Sequence, residues 1–399
     1  MISPSRKIGV VTVGRSDYGI YLPVLRKIRA DPELELCVIV AGMHLSPEFG
    51  LTVQAIEADG FQIYERVEML LSSDTPEGIA KSMGLGIIGF AQVYTRFRPD
   101  ILVVLGDRFE MHAAALAALP FKIPVAHIHG GEITQGAFDD ALRHSMTKLC
   151  HLHFVTMQEY ARRVIQLGEE PWRVTVSGAP SLDNLRSLKL LTAEELRLKY
   201  RLPLKKPSLL ITFHPVTLEF EQTEWQINQL LVALQAVDLP LVFTMPNADT
   251  NGRIVIRIIE KFVKNRSSAW LVANLGYEGY LSMMASAAAM VGNSSSGIVE
   301  APSFGLPVVN VGIRQLGRVR AKNVIDVGYT SEEVIKGIRA AISPEFRRGL
   351  KGLVNPYGDG RAAEVIVQHL KEVVLNDRLL LKRFVDLTAA PSPGAFARV

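Results

Sequence analysis

Cysteine is scarce in this chain of 399 residues: only Cys37 and Cys150 occur, far apart and without metal-ligand spacing. That excludes a disulfide framework and a cysteine-based zinc site, and it fits a reducing compartment. Long hydrophobic runs are also missing. The stretch 283–291 is among the longest and is too short to span a bilayer, and residues 1–7 lack the apolar core of a secretory signal. No membrane association is expected, and the expected location is the cytoplasm. Charge of one sign is not concentrated either. With a net charge of +4 and no dense Lys/Arg block, no nucleic-acid partner is expected. There is no GxGxxG, so neither a nicotinamide nor a flavin cofactor is expected, and no internal repeat or low-complexity block appears.

What the chain has is the composition of an ordinary α/β protein, 48% hydrophobic and 21% charged, at a length that exceeds a single core. Apolar runs of strand length alternate with amphipathic segments throughout. The pattern predicts strands over 8–13, 36–41, 101–105, 124–128, 152–155 and 174–176. It restarts after the Pro203-Leu-Lys-Lys-Pro207 stretch with strands over 209–213, 241–244, 269–272, 289–291, 307–311 and 324–327. The expected architecture is two doubly wound, Rossmann-like α/β domains with a cleft between them. The first domain would cover 1–180 and carry acid/base residues, and the second would cover 181–360 and bind a nucleotide. A helix within 361–376 would pack back on the first domain, and 377–399 would form a peripheral tail.

The densest chemistry follows the strand predicted at 124–128. His127-Ile-His-Gly-Gly-Glu132 runs on to Asp139-Asp-Ala-Leu-Arg-His144 and crowds acids, imidazoles and an arginine around two glycines. The preceding strand ends in Gly106-Asp-Arg-Phe-Glu110. Ligands of open parallel sheets sit outside the carboxyl ends of the strands, so adjacent strand ends that both carry acids point to proton chemistry on a bound molecule. Helix capping by Asp is the plain alternative for any one of these residues, but capping does not call for the whole set. In the second half, Gly292-Asn-Ser-Ser-Ser-Gly297 opens a helix, where backbone N–H groups and the hydroxyls of Ser294, Ser295 and Ser296 suit a phosphate. Glu300, one turn on, suits a ribose diol. Arg15 and Asp17 follow the first strand, and His44 and His214 lie at further strand ends. Arg314 and Arg318 suit a diphosphate. One half thus offers acids and imidazoles and the other offers phosphate-binding features, a division that a nucleotide-sugar lying across the cleft would satisfy.

These motifs, together with Gly14-Arg-Ser-Asp-Tyr18 and Pro246-Asn-Ala-Asp249, resemble those of the hydrolysing UDP-N-acetylglucosamine 2-epimerases of the sialic-acid and related nonulosonic-acid pathways. The resemblance runs from about residue 7 to about residue 374. It implies the GT-B fold, a UDP-sugar substrate, no cofactor and no metal, and a homo-oligomer (dimer or tetramer) is the expected assembly. The implied reaction converts UDP-N-acetylglucosamine and water to N-acetylmannosamine and UDP, by elimination of UDP and hydration of a glycal. A 2,4-diacetamido-2,4,6-trideoxy sugar nucleotide is the alternative substrate, and a GT-B glycosyltransferase is a more distant reading. Asp107, Glu132 and Asp139 form the expected acid/base set, with His129 added because it stands where much of the family has a catalytic glutamate. Crowding of the carboxylates is expected to raise at least one pKa, and Glu132 is favoured over His129 as the proton carrier. Arg15, Asp17, His44, His214, Asn247, Ser294, Ser295, Ser296, Glu300, Arg314 and Arg318 are expected to bind substrate, with Arg15, His214, Arg318 and the serines on the diphosphate.

Overall fold

The computed structural model describes residues 5–73, 75–203, 206–246 and 251–386. Its organisation follows from apolar runs that are buried on both faces. The run Ile101-Leu-Val-Val-Leu105, for example, is buried at every position, as a central strand of a parallel sheet must be when helices cover both sides. Seven such strands form the first sheet: β1 (Arg6–Thr12), β2 (Leu34–Ala41), β3 (Ile63–Val67), β4 (Ile101–Leu105), β5 (Val125–Ile128), β6 (Leu152–Val155) and β7 (Val174–Val176). All pairings are parallel, in the order β3-β2-β1-β4-β5-β6-β7. The second sheet comprises β8 (Leu209–Thr212), β9 (Leu241–Thr244), β10 (Ala269–Val272), β11 (Ala289–Gly292), β12 (Val308–Val311) and β13 (Val324–Val327). It is also parallel, in the order β10-β9-β8-β11-β12-β13.

Both sheets reverse their winding direction once, between β1 and β4 in the first and between β8 and β11 in the second. A crevice opens above such a switch point because the loops on either side leave in opposite directions. The fold is therefore the two-domain α/β arrangement expected from the sequence, with one switch point in each sheet. The pattern reading missed β3. Its sequence, Ile-Tyr-Glu-Arg-Val, carries two adjacent charged residues, and its exposure alternates because it is an edge strand with one wet face.

The chain returns to the first sheet at its end. Ala362, Ala363, Ile366, Val367 and Leu370, on helix Ala362–Glu372, belong to the same apolar core as helix Arg15–Ala30 and β1. The stretch after it, read from sequence as a peripheral tail, is docked as far as it is described. Leu379 is buried, and the fully buried Arg173 donates to the carbonyls of Arg378, Leu379 and Leu381. Backbone carbonyls with a buried guanidinium to accept from hold this segment down where its composition gave no sign of it. Among the described residues, no helix is long and apolar enough to cross a membrane.

Candidate active site

A cleft of about 730 Å³ lies between the two switch points and is lined by loops from both sheets. From the first sheet come Arg15, Asp17 and His44, then Asp107 after β4, His129 and Glu132 after β5, and Asp139 at the start of helix Asp139–Leu149. From the second come His214 after β8, Ser294, Ser295, Ser296 and Glu300 after β11, and Arg314 and Arg318 after β12. Every expected site residue that is described therefore faces one cavity; Asn247 lies outside the described residues.

Local sequence explains the placement of the serines. Gly292 ends β11 at φ +134°, and a Cβ there would meet the Thr212 carbonyl oxygen at 2.0 Å, so only glycine lets the chain turn against β8. Next to it the Asn293 side chain accepts from the His214 N–H at 2.7 Å and donates to the His214 carbonyl at 2.8 Å, which ties the two strand ends together. The helix that follows, Ser296–Val299, is a single turn, shorter than the sequence suggested, and passes into a 3₁₀ turn at Ala301–Phe304.

In the acid cluster the partners are cations, which reverses the electrostatics expected from sequence. Arg143, almost fully buried, pairs with Asp107 and donates to Thr134 Oγ1 at 3.0 Å and to the Glu132 carbonyl at 3.3 Å. Burial alone would raise the Asp107 carboxyl, but Arg143, Arg318 and Arg314 outweigh it and hold the pKa below the ordinary value. Glu132 is wholly buried. Its Oε1 lies 2.6 Å from His129 Nδ1, and its Oε2 lies 3.0 Å from Arg318 Nη1, an arginine that arrives from the other domain. Burial pushes Glu132 up, and Arg318 and His129 together bring it down to about 2. Crowding therefore does not raise these two carboxyls. The raised ones are Asp17, which burial lifts to about 6, and Glu300, also lifted by burial. Of the adjacent acids, Asp140 turns to the Thr134 N–H at 2.5 Å while Asp139 lines the cleft.

Several residues expected to hold substrate are already engaged by protein. Asp17 accepts from Thr12 Oγ1 at 2.7 Å and from the N–H groups of Val13 and Gly14 at 2.8 and 2.7 Å, so it anchors the start of helix Arg15–Ala30. His44 meets Thr12 Oγ1 through Nε2 at 2.9 Å and Thr52 Oγ1 through Nδ1 at 2.8 Å. With both ring nitrogens occupied and burial lowering its pKa to about 3, His44 is a neutral support for Thr12 and Asp17. Burial also keeps His214 neutral, with Arg314, Arg108 and Arg15 adding to the effect, so in this state it brings no positive charge to a diphosphate. Arg318, which also lines the cleft, pairs with Glu132. Arg15 reaches across the cleft to the carbonyls of Met245 and Ala273.

Residues given no role from sequence complete the lining. Arg108 pairs with the buried Glu110 through Nε at 3.1 Å, and Gln315 donates to the Asn293 carbonyl at 2.9 Å. Tyr277 and Tyr280 enter from helix Gly276–Ser286, which no motif marked. Arg143 and Arg108 stood inside the quoted motifs, and a charge count within those motifs would have found them. Among the described residues, no group of three or more His, Cys, Asp or Glu is arranged to hold a metal ion.

Comparison with known proteins agrees with this architecture. A family model described as UDP-N-acetylglucosamine 2-epimerase matches residues 26–371. The chain is 39% identical to a GDP/UDP-N,N'-diacetylbacillosamine 2-epimerase (hydrolyzing) of Campylobacter jejuni, over 96% of this chain and 99% of that one. It is 36% identical to a UDP-N,N'-diacetylbacillosamine 2-epimerase (hydrolyzing) of Legionella pneumophila, over 94% and 98% of the two chains. Among solved structures, a UDP-GlcNAc 2-epimerase from Neisseria meningitidis bound to UDP-GlcNAc superposes with a TM-score of 0.77 at 21% identity, covering 91% of this chain and 99% of that one.

Proposed function

This chain belongs to the UDP-N-acetylglucosamine 2-epimerase family, and from that premise we propose that it is a hydrolysing 2-epimerase that releases UDP and a free manno-configured sugar from a UDP-activated 2-acetamido sugar. One observation carries the reading: proton-handling groups on the first sheet (Asp107, His129, Asp139) face phosphate-binding features on the second (Ser294–Ser296, Arg314) across one cleft. Inverting C2 requires removing a proton that is barely acidic. Elimination makes this feasible, because the electron pair of the C2–H bond forms a C1–C2 double bond while the C1–O bond breaks towards UDP. Water then adds at C1, and a proton returns to C2 from the opposite face. A base near C2, a second proton donor across the ring and stabilised charge on departing UDP are the requirements. In this reading Asp139 is the candidate for the second donor, Asp107 orders Arg143 beside it, and Arg15, Arg314 and the serine N–H and hydroxyl groups receive the diphosphate.

The sequence motifs pointed first to UDP-N-acetylglucosamine. The 39% and 36% relatives carry names that specify a diacetylbacillosamine nucleotide, whereas a UDP-N-acetylglucosamine 2-epimerase of Neisseria meningitidis stands at 32%. We therefore favour the 2,4-diacetamido-2,4,6-trideoxy sugar as substrate. The test is to offer the purified protein each UDP-sugar alone, and the GDP form of the diacetamido sugar, and to measure released nucleotide. The expected result is acceptor-independent UDP release, with kcat/KM for the diacetamido sugar at least about tenfold above that for UDP-N-acetylglucosamine; discrimination of this size needs only ~1.4 kcal/mol at the second acetamido group. Equal or reversed preference returns the substrate to UDP-N-acetylglucosamine. Nucleotide release that requires an added acceptor contradicts the hydrolysing reading.

A further inference from the structure

The base for the C2 proton can be sought among the cleft's groups that are not held in an ion pair with an arginine. Asp107 is ion-paired with Arg143, and Glu132 is ion-paired with His129 through Oε1 at 2.6 Å and with Arg318 through Oε2 at 3.0 Å. In the neutral imidazole Nδ1 donates to the Glu132 carboxylate, and the lone pair is then on Nε2. That Nε2 is buried, has no hydrogen-bond partner among the described residues, and belongs to a residue only 7% exposed that lines the cleft. The backbone adds an independent sign. His129 sits at φ +65°, an uncommon region for a residue other than glycine, pinned by its N–H to the Phe154 carbonyl at 3.0 Å. Strain of this kind is retained where the surroundings over-determine a residue's aim.

We propose that His129 is the catalytic base, taking the C2 proton of the sugar through Nε2, and that Glu132 is a positioning residue that fixes the imidazole tautomer. This rests on the epimerase reading above. In the step, the Nε2 lone pair forms the new N–H bond and the C2–H electron pair becomes the C1–C2 double bond. The C1–O bond breaks, and its electrons leave with UDP. The resulting imidazolium is stabilised by Glu132 on its own loop and interacts electrostatically with Glu300 of the second domain, while Arg318 pairs with the other oxygen of Glu132 and Arg143 donates to its backbone carbonyl. With Oε1 on His129 and Oε2 on Arg318, Glu132 suits the supporting role and not the proton transfer. The arrangement is the carboxylate–histidine logic of hydrolytic dyads, set on a strand-end turn.

The test uses substitutions that this backbone tolerates. Asparagine and glycine both accept a positive φ, so His129→Asn and His129→Gly keep the turn. The expected result is a kcat lowered by about 10³-fold or more in both, with UDP affinity within about threefold of the parent enzyme. Imidazole added to His129→Gly should restore turnover by filling the vacated space. Glu132→Gln should lose only about 10- to 100-fold, because a neutral partner still positions the ring. Turnover of His129→Asn within tenfold of the parent enzyme overturns the proposal. So does a Glu132→Gln enzyme less active than His129→Asn, or a His129→Gly enzyme that binds UDP and gains nothing from imidazole. A parent enzyme that releases no nucleotide from any 2-acetamido sugar nucleotide overturns the epimerase reading, and this proposal with it.

Discussion

Arg318 of the second domain places Nη1 3.0 Å from Oε2 of Glu132 in the first, a buried ion pair that joins the two halves across the cleft. Its partners are 8% and 0% exposed, so neither charge has water to fall back on. Removing one charge of a buried pair while leaving the other typically costs about 3–5 kcal/mol. Arg318→Met is therefore expected to lower the calorimetric unfolding midpoint clearly at pH 7. The pH dependence has a definite sign. Glu132 is depressed from 4.5 to about 2 in the folded protein, so its stabilising contribution is complete above pH 4.5 and is lost as pH falls towards 2. In Arg318→Met that acid-side loss should be shallower. An unchanged midpoint at pH 7 would contradict the pairing.

The serine loop is expected to serve binding more than chemistry. Ser295 lines the cleft, and its own carbonyl accepts from the N–H groups of Ile298 and Val299, so the side chain can be trimmed without loosening the turn. A neutral hydrogen bond is worth about 0.5–1.5 kcal/mol, which corresponds to roughly two- to tenfold. Ser295→Ala should raise KM by that factor and leave kcat within about threefold. Steady-state kinetics beside a UDP titration separates the two, and complete loss of turnover with unchanged UDP affinity would move the serine into the chemistry.

The docked C-terminal segment should matter for stability. Lys382 Nζ lies 2.8 Å from Glu169 Oε2 and donates to the carbonyls of Thr147, Lys148 and Cys150 at 3.0, 3.0 and 2.5 Å. Those carbonyls end the helix that begins with Asp139, and cations are favoured at such an end. Lys382→Met leaves Glu169 with Lys148 and His153 and strips the helix end of its donor. A loss of about 2–4 kcal/mol in denaturant unfolding is expected, with UDP affinity kept. A loss below ~0.5 kcal/mol would show the segment to be ornamental.

The architecture was legible because burial on both faces imposes continuous apolar runs, and each run read as a strand in the sequence is a strand in the fold. The exception, Ile63–Val67, is an edge strand whose consecutive Tyr64, Glu65 and Arg66 break the apolar run. Membership of the cleft was legible for a related reason: in a doubly wound sheet the strand ends converge, so Asp107, His129, His214 and the serines could be gathered from position alone. Individual roles were not legible. Whether a histidine offers a free nitrogen depends on which side chains fold against it, and the two threonines that occupy His44 are distant from it or unmarked by any motif. The carboxylate charges were misjudged in the same way, since Arg318 meets Glu132 only once the domains come together.

The central claim is elimination followed by hydration, and one experiment reads it directly. The purified protein is incubated in deuterated water with the diacetamido UDP-sugar, and in parallel with UDP-N-acetylglucosamine, and the sugar product is analysed by proton NMR and mass spectrometry. The expected product is the free manno-configured sugar carrying one deuterium at C2, formed in step with UDP and with no acceptor present. A released sugar that keeps its original C2 proton, or that retains the gluco configuration, would contradict the account.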